Sequence, residues 1–389
     1  MSTKLDQNSP ETITTRKFEL DSQFEAFALN DSTREQEAGL EVNLFALELD
    51  RDPILEISEV QGSEGIFNVA VLDVEGVKYL FGRKVQKAAI NGEPDAGSLV
   101  MAELGPSRDI ILTTEVWSPE DQDVLVEDPR AQQASNGRTI IGVTAVRKND
   151  NYKTYPAIIE LKSAGQLLTQ PFPELRIIDR FGGGDQTTPI GEVVEGKNAT
   201  TIDEKHIMYR PDGMNHTLQV LEYNDGDVSH VGFIEFPEDI PGASYKIGTT
   251  TPPEWLNENE AFFVIHGLDK TIDGKLVDPD TIDSRIVYQY SILSARLLRK
   301  IDKSGKVSFS VDNISKKPII TPDTFPGLGD NREIELHPDI RRVTYSCGGI
   351  SHRESGGKLI KEELFVNQGD KRTWVAVIAA DEIIAGWKR

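Results

Sequence analysis

A chain of 389 residues with 38% hydrophobic and 27% charged residues can fill two or three domains or one large β or α/β architecture, and it holds no apolar run near the roughly 18–20 residues of a membrane span. Its net charge of −22 repels phosphate backbones and anionic lipid, so neither nucleic acid nor membrane is an expected partner, whereas a neutral ligand such as a sugar is compatible. Cys347 is the only cysteine, which excludes internal disulfides and cysteine-cluster metal sites; with no apolar signal core in the first residues, a reducing cytoplasm is the expected location.

Residues 1 to 40 are polar with few periodic apolar positions and read as an N-terminal extension or arm, partly disordered. From residue 41 the texture is that of a single all-β domain running to 389. Strand-length segments rich in Val, Ile, Phe, Tyr and Thr follow one another: GIFNVAVLDVEG from Gly65, VKYLFGRKV from Val77, IILTTEVW after Asp109, VLVEDPR from Val124 and TIIGVTAV after Arg138. HIMYR, LQVLEY, HVGFIEF, AFFVIHG, RIVYQYSI, VSFSV, RVTYSCGG, ELFVN and TWVAVIAA continue the series to the C-terminal end. VEG, NGR, PDG, NDGD, DKSGK and NQGDK separate them with residues that tolerate positive φ, and no amphipathic helix of three turns intervenes. So many hairpins must close on themselves or leave sheet edges exposed. A β-propeller is the expected fold, and about 70 residues per unit predicts five blades.

Chemistry-bearing motifs are sparse. Six histidines are scattered without ligand spacing, so no metal is expected. Gly182 to Gly184 lack a following phosphate-loop lysine and read as a loop, and no GxSxG elbow exists. VLVEDPR stands out because an apolar strand runs into two acids, a proline and an arginine. Pro129 cannot donate to a ladder, so the strand is expected to finish or to reach a sheet edge there, with Asp128 where it meets a cavity. The plain alternative is an Asp-Pro turn with Glu127 and Arg130 as a surface ion pair. Other strands also carry a cation or amide in or beside an apolar run: Arg83, Lys197, Asn198, Arg210 and His266. A buried cation is costly unless an anion or a ligand meets it, so five such groups, about one per blade, point to a shared cavity.

At these residues the sequence resembles glycoside hydrolase family 130, the β-mannoside phosphorylases and related mannosidases, which are five-bladed β-propellers. The resemblance runs in order over residues 45 to 385. It comprises GIFNVAVLDVEGVKYLFGRKV, VEDPR against the family's Glu-Asp-Pro-Arg signature, GKNATTIDEKHIMYRPDG, the segment from Tyr245 ending in IHG, and LFVNQGDKRTWVAVI over the family's terminal segment. The family's YYGAAD has become FVNQGD, Ile265 replaces a tyrosine, and Tyr209 stands where a histidine is frequent.

The resemblance implies inverting phosphorolysis of β-mannosides to α-mannose 1-phosphate, with inorganic phosphate as co-substrate and no cofactor or metal. It makes Asp128 the general acid, acting through a sugar hydroxyl. It places Arg83, Lys197, Arg210 and His266 around phosphate and sugar, with Tyr290 beside them although its spacing to the following ARLL differs by about a residue. Asn68, Asn198 and Asp370 would hold sugar hydroxyls. A homo-oligomer is also implied, with the polar arm as its contact. The alternatives are a hydrolase of the same family, with a glutamate as base, and a non-catalytic carbohydrate-binding propeller. A general acid must start protonated, so a raised Asp128 pKa is expected; Arg130 would lower it unless it turns away or pairs with Glu127.

Overall fold

The computed structural model describes residues 47–49, 55–56, 65–85, 97–105, 110–117, 123–162, 173–179, 195–224, 227–324, 343–368 and 372–381. The arm at residues 1 to 40, the loop at Gly182 to Gly184 and the proposed ligand Asp370 lie outside them. Among the described residues regular structure is almost entirely strand, and no helix is long and apolar enough to cross a membrane.

Two short strands, β1 (Leu47–Leu49) and β2 (Leu55–Glu56), come first in the chain. Five sheets then follow in sequence. The first blade is β3 (Gly65–Val74), β4 (Val77–Val85), β5 (Ser98–Leu104) and β6 (Ile110–Trp117). The second is β7 (Val124–Gln133), β8 (Thr139–Arg147), β9 (Lys153–Leu161) and β10 (Leu175–Ile177). The third is β11 (Gly196–Thr201), β12 (His206–Pro211), β13 (Thr217–Asn224) and β14 (Asp227–Glu235). The fourth holds β15 (Lys246–Thr249), β16 (Glu254–Trp255), the long pair β17 (Glu260–Ile272) and β19 (Val287–Ile301), β18 (Lys275–Leu276) at the β17 tip, and β20 (Val307–Asp312). The fifth is β21 (Thr344–Arg353), β22 (Leu359–Gln368) and β23 (Arg372–Ala379).

This is the expected five-bladed propeller, and it closes on itself. β1 and β2 both pair antiparallel with β23, so these two short strands supply the outer edge of the last blade and tie the two ends of the ring together. β3, β7, β11, β15 and β21 are the first strands of their blades, and β3 packs beside β7, β7 beside β11, β11 beside β15, and β21 beside β3. Alternating side chains then have two jobs, because each face of a blade meets a different neighbour.

Five apolar clusters follow from that alternation, one between each pair of adjacent blades. Phe81, Met101 and Leu99 meet Val126, Ile141 and Ile159 between the first and second blades; Ile158 and Ile140 meet Tyr209 and Leu221 between the second and third. Met208 and Ile234 pack on Phe263 and Leu293, Val264 and Ile292 on Trp374 and Leu364, and Phe365 and Val375 on Val71 and Leu80. At about 1.5–3 kcal/mol per fully buried large aliphatic or aromatic side chain, these contacts between blades are the main term holding the ring.

Candidate active site

Three inner strands carry the same local irregularity. The register shifts between Phe67 and Ala70 in β3, between Glu127 and Arg130 in β7, and between Lys197 and Thr200 in β11. At each bulge one residue lies in the left-handed region: Asn68 at φ 51°, Asp128 at φ 50° and Asn198 at φ 65°. Asn and Asp are the non-glycine types that best tolerate it, since a short polar side chain can bond locally. The bulge re-aims each polar group, and β21 has its own shift between Ser346 and Gly348. Pro129 occupies the bulge of β7, the edge strand of its sheet, so the proline sits at a sheet edge as expected while the strand runs on to Gln133.

The bulges bring the side chains together. Asn68 Nδ2 donates to Asp128 Oδ1 at 2.7 Å, and Arg83 NH1 is 3.7 Å from the same oxygen. Tyr345 Oη, from β21, lies 3.3 Å from Asp128 Oδ2 and 3.1 Å from Asn198 Oδ1, so its single hydrogen can serve either. Arg130 is fully buried and donates to the Asp128 carbonyl at 2.6 Å, to Asn198 Oδ1 at 3.2 Å, to the Thr249 carbonyl at 3.0 Å and to Tyr345 Oη. Lys197 Nζ is 3.4 Å from Glu127 Oε2. The first, second, third and fifth blades thus contribute side chains to one hydrogen-bonded centre around Asp128, and the fourth supplies the Thr249 carbonyl and His266.

His266 completes the wall. Its Nδ1 is 3.1 Å from the Thr249 carbonyl, and its ring sits edge-on to Tyr345 at 4.7 Å and stacked over Tyr290 at 6.0 Å. Burial, then Arg210 and Arg130, pull its pKa well below the ordinary histidine value, so the imidazole is neutral. A neutral ring facing a carbonyl must carry its proton on Nδ1, which leaves Nε2 as an acceptor. Arg210 stands beside Lys197 through the β11–β12 register and close enough to His266 to depress its pKa. Its side chain makes no hydrogen bond or ion pair among the described residues.

The electrostatics correct two expectations. Glu127 and Arg130 are not a surface ion pair: both are buried, Glu127 faces Lys197, and Arg130 holds the centre. Nor is the Asp128 pKa raised. Burial pushes its carboxyl up, but Arg83, Arg130, the Asn68 amide and Lys197 together hold it below its ordinary value, so it is a carboxylate in the unliganded protein. Lys197 is held above its ordinary value by Glu127. Burial keeps the Tyr345 phenol well above its own, hence protonated. Arg83, Arg130, Lys197 and Arg210 gather around the carboxylates of Glu127 and Asp128, a cluster of cations inside a chain of charge −22.

Of the residues singled out from the sequence, Asn68, Arg83, Asp128, Lys197, Asn198, Arg210, His266 and Tyr290 converge, and Asp370 lies outside the described residues. Sequence reasoning missed the roles of Arg130 and Tyr345. Arg130 stood in the motif but was read as a partner for Glu127. Tyr345 lay within RVTYSCGG, where alternation marks a buried strand residue and nothing marks contact with a residue 217 positions away.

No family model and no curated protein sequence matches the chain. Solved structures do. A β-1,2-mannobiose phosphorylase from Listeria innocua, in complex with β-1,2-mannobiose, superposes with a TM-score of 0.56 at 13% identity, over 88% of this chain and 99% of that one. The chain shares its fold with a mannobiose phosphorylase. A glycosyl hydrolase from Bacteroides ovatus gives 0.57 at 12% identity over 87% and 94% of the two chains. A mannose phosphorylase from Leishmania mexicana, in complex with phosphate ion, gives 0.50 at 14% identity over 87% and 90%. The five-bladed propeller shared with these structures is therefore the scaffold on which the bulged inner strands and their polar side chains are set.

Proposed function

We propose that the chain is an inverting β-mannoside phosphorylase. The carrying observation is the inventory around Asp128: one carboxylate beside Arg83, Arg130 and Lys197, with Arg210, next to Lys197 and His266, having no protein counter-ion among the described residues. A glycosidase of the ordinary kind uses two carboxylates, one as acid and one as base or nucleophile. Glu127, the carboxylate beside Asp128 in sequence, is buried against Lys197 and poorly placed to activate water. Phosphate brings its own nucleophilic oxygen and needs cations instead. The names of two fold neighbours, a mannobiose phosphorylase and a mannose phosphorylase, favour the same chemistry.

In this reading phosphate sits against Arg210, Lys197 and Arg83, and the sugar hydroxyls meet Asn68, Asn198 and the His266 Nε2 acceptor, with Tyr290 beside His266. A phosphate oxygen attacks C1 as the glycosidic C1–O bond breaks. The proton on Asp128 passes, through a sugar hydroxyl, to the departing oxygen, giving α-mannose 1-phosphate and a shortened saccharide. Asp128 is ionised in the free protein, so its proton must arrive with the substrates: a phosphate anion beside the cations offsets their pull and raises the carboxyl pKa. Incubation with β-1,2-mannobiose, with and without inorganic phosphate, tests the reading. Mannose 1-phosphate formed only with phosphate is expected; free mannose released at the same rate without it would replace phosphorolysis by hydrolysis.

A further inference from the structure

Four residues beyond Asp128 on the same strand, Gln132 buries its amide oxygen Oε1 without a hydrogen-bond partner. A buried acceptor left unsatisfied costs about 1–3 kcal/mol, so the position is unfavourable for the protein alone. Gln132 borders a cavity of 410 Å³, within the roughly 300–1,000 Å³ of small-molecule sites. Gln133, Glu204, Trp255, Glu258 and Arg299 also line it. These residues come from the end of β7, the turn after β11, β16 and the turn that follows it, and the end of β19. The cavity thus lies where the inner strands end, at the other end of the propeller from the bulges, roughly 13 Å from Asp128 at the rise of a strand.

The lining selects a class of ligand. Trp255 is a fixed wall: its Nε1 donates to the Ile202 carbonyl at 3.0 Å, and the Arg299 guanidinium covers its ring at 4.8 Å. Arg299 lies 3.8 Å from Asp203, which is itself held by His206 at 2.8 Å. A cation entering the cavity finds that ring face occupied and, of the lining carboxylates, Asp203 already held by His206 and Arg299 and Glu204 by the Ser135 amide. An anion meets Glu204 and Glu258. No group of three potential metal ligands exists among the described residues. What remains favoured is a neutral ligand rich in hydroxyl donors, which can satisfy Gln132 Oε1. It can also reach the exposed side chains of Gln133 and Glu258, which make no hydrogen bond among the described residues.

We propose that this cavity is a second carbohydrate-binding site, distinct from the Asp128 centre, that takes a neutral saccharide segment. It would bind whether or not Asp128 turns over mannosides. Titration calorimetry of the full chain with β-1,2-mannobiose, cellobiose and mannose, with spermidine as the cationic control, tests it in two variants. In Asp128→Asn with Arg83→Ala, the far-end binding event persists. In Gln132→Ala with Glu258→Ala, that event weakens by about tenfold or more, the equivalent of one or two hydrogen bonds, while turnover at Asp128 is unchanged. Glu258 is exposed, so Glu258→Ala alone is folded and should weaken the event in the same direction, which covers the case of a misfolded double variant. Saccharide affinities that ignore both Gln132→Ala and Glu258→Ala overturn the proposal. So do the absence of binding by all three saccharides in the Asp128 variant, and binding of spermidine in their place. Loss of turnover in Asp128→Asn bears only on phosphorolysis and leaves this cavity's result independent.

Discussion

Asn68 Nδ2 donates to Asp128 Oδ1 across 2.7 Å, and the two residues occupy the same left-handed step of the bulges in neighbouring inner strands. Asn198 repeats the step on the next strand, so one backbone device is used three times around the ring with two different side-chain chemistries. Amides at two positions hold hydrogen bonds regardless of pH, and the carboxyl at the third is the group able to move a proton.

Asp128→Asn should therefore be a clean excision of the proton. Asparagine already tolerates this backbone at 68 and 198, so the variant is expected to fold with little change in melting temperature while turnover of β-1,2-mannobiose falls by about a thousand-fold, in the range for loss of a general acid. Asp128→Ala loses turnover equally and also stability, by about 1 kcal/mol, because alanine lacks the local side-chain bond that makes positive φ tolerable. Parallel rate assays and thermal melts check both halves; full activity in Asp128→Asn removes this residue from the chemistry.

Phosphate binding should draw a proton from solution. Arg83, Arg130, the Asn68 amide and Lys197 hold the free carboxyl below its ordinary value despite burial, and an incoming anion counters the cationic part of that pull. Calorimetric titration of phosphate in buffers of different ionisation heat should show net uptake beyond that of phosphate itself, vanishing in Asp128→Asn. The same linkage predicts that kcat, with both substrates saturating, declines as pH rises above the carboxyl pKa of the liganded site. Equal proton exchange in the wild type and Asp128→Asn would mean that Asp128 stays ionised throughout.

Much of this centre was legible before coordinates because its parts are local signals: a proline inside a strand, an Asn or Asp where a ladder must bulge, and cations embedded in apolar runs. Ring closure was not, since β1 and β2 are short and join β23 more than 300 residues later. Ser98–Leu104 and Lys153–Leu161 also escaped notice as strands. Their positions are buried on both faces, which erases the alternation that marks a half-exposed strand. Tyr345 escaped because its function is wholly a matter of which blade it meets. The direction of the Asp128 pKa shift was misjudged for a related reason: Arg130 does turn away from the carboxyl oxygens, yet it stays beside Asp128 by binding its carbonyl.

Glu362 gives the fold a pH dependence remote from the centre. It is buried on β22 beside Ser351, and burial, with Glu254 and Glu363 adding and Ser351 and Arg353 subtracting, leaves its pKa pushed up to about 8. An unfolded glutamate titrates near 4.3, so between about pH 4.3 and 8 the folded chain keeps a proton that the unfolded chain releases. Stability then falls as pH rises through that window, by up to about 1.4 kcal/mol per pH unit, and levels off above it. Glu362→Gln removes the titration. Its melting temperature relative to wild type should climb from pH 5 to pH 8, and parallel curves for the two proteins would exclude the effect.

Gly248 and Gly348 separate function from folding. A Cβ on Gly248 would press into the His266 ring and stand 2.6 Å from Asn198 Nδ2, both side-chain groups at the centre, whereas a Cβ on Gly348 would overlap backbone atoms of Ala70 and Val71 in the adjoining blade. Side chains can rotate away; a neighbouring inner strand cannot. Gly248→Ala is thus expected to keep most of its stability and lose activity by about tenfold to a hundredfold, since His266 and Asn198 leave the positions that orient the sugar. Gly348→Ala should melt lower by an amount corresponding to about 1–3 kcal/mol, the usual cost of overpacking, with the surviving folded fraction retaining a near-normal specific rate. Activity per folded molecule, from rate assays normalised by the native fraction in a denaturant titration, distinguishes the two. If both variants lose stability alone, the Gly248 gap serves packing rather than the placement of His266.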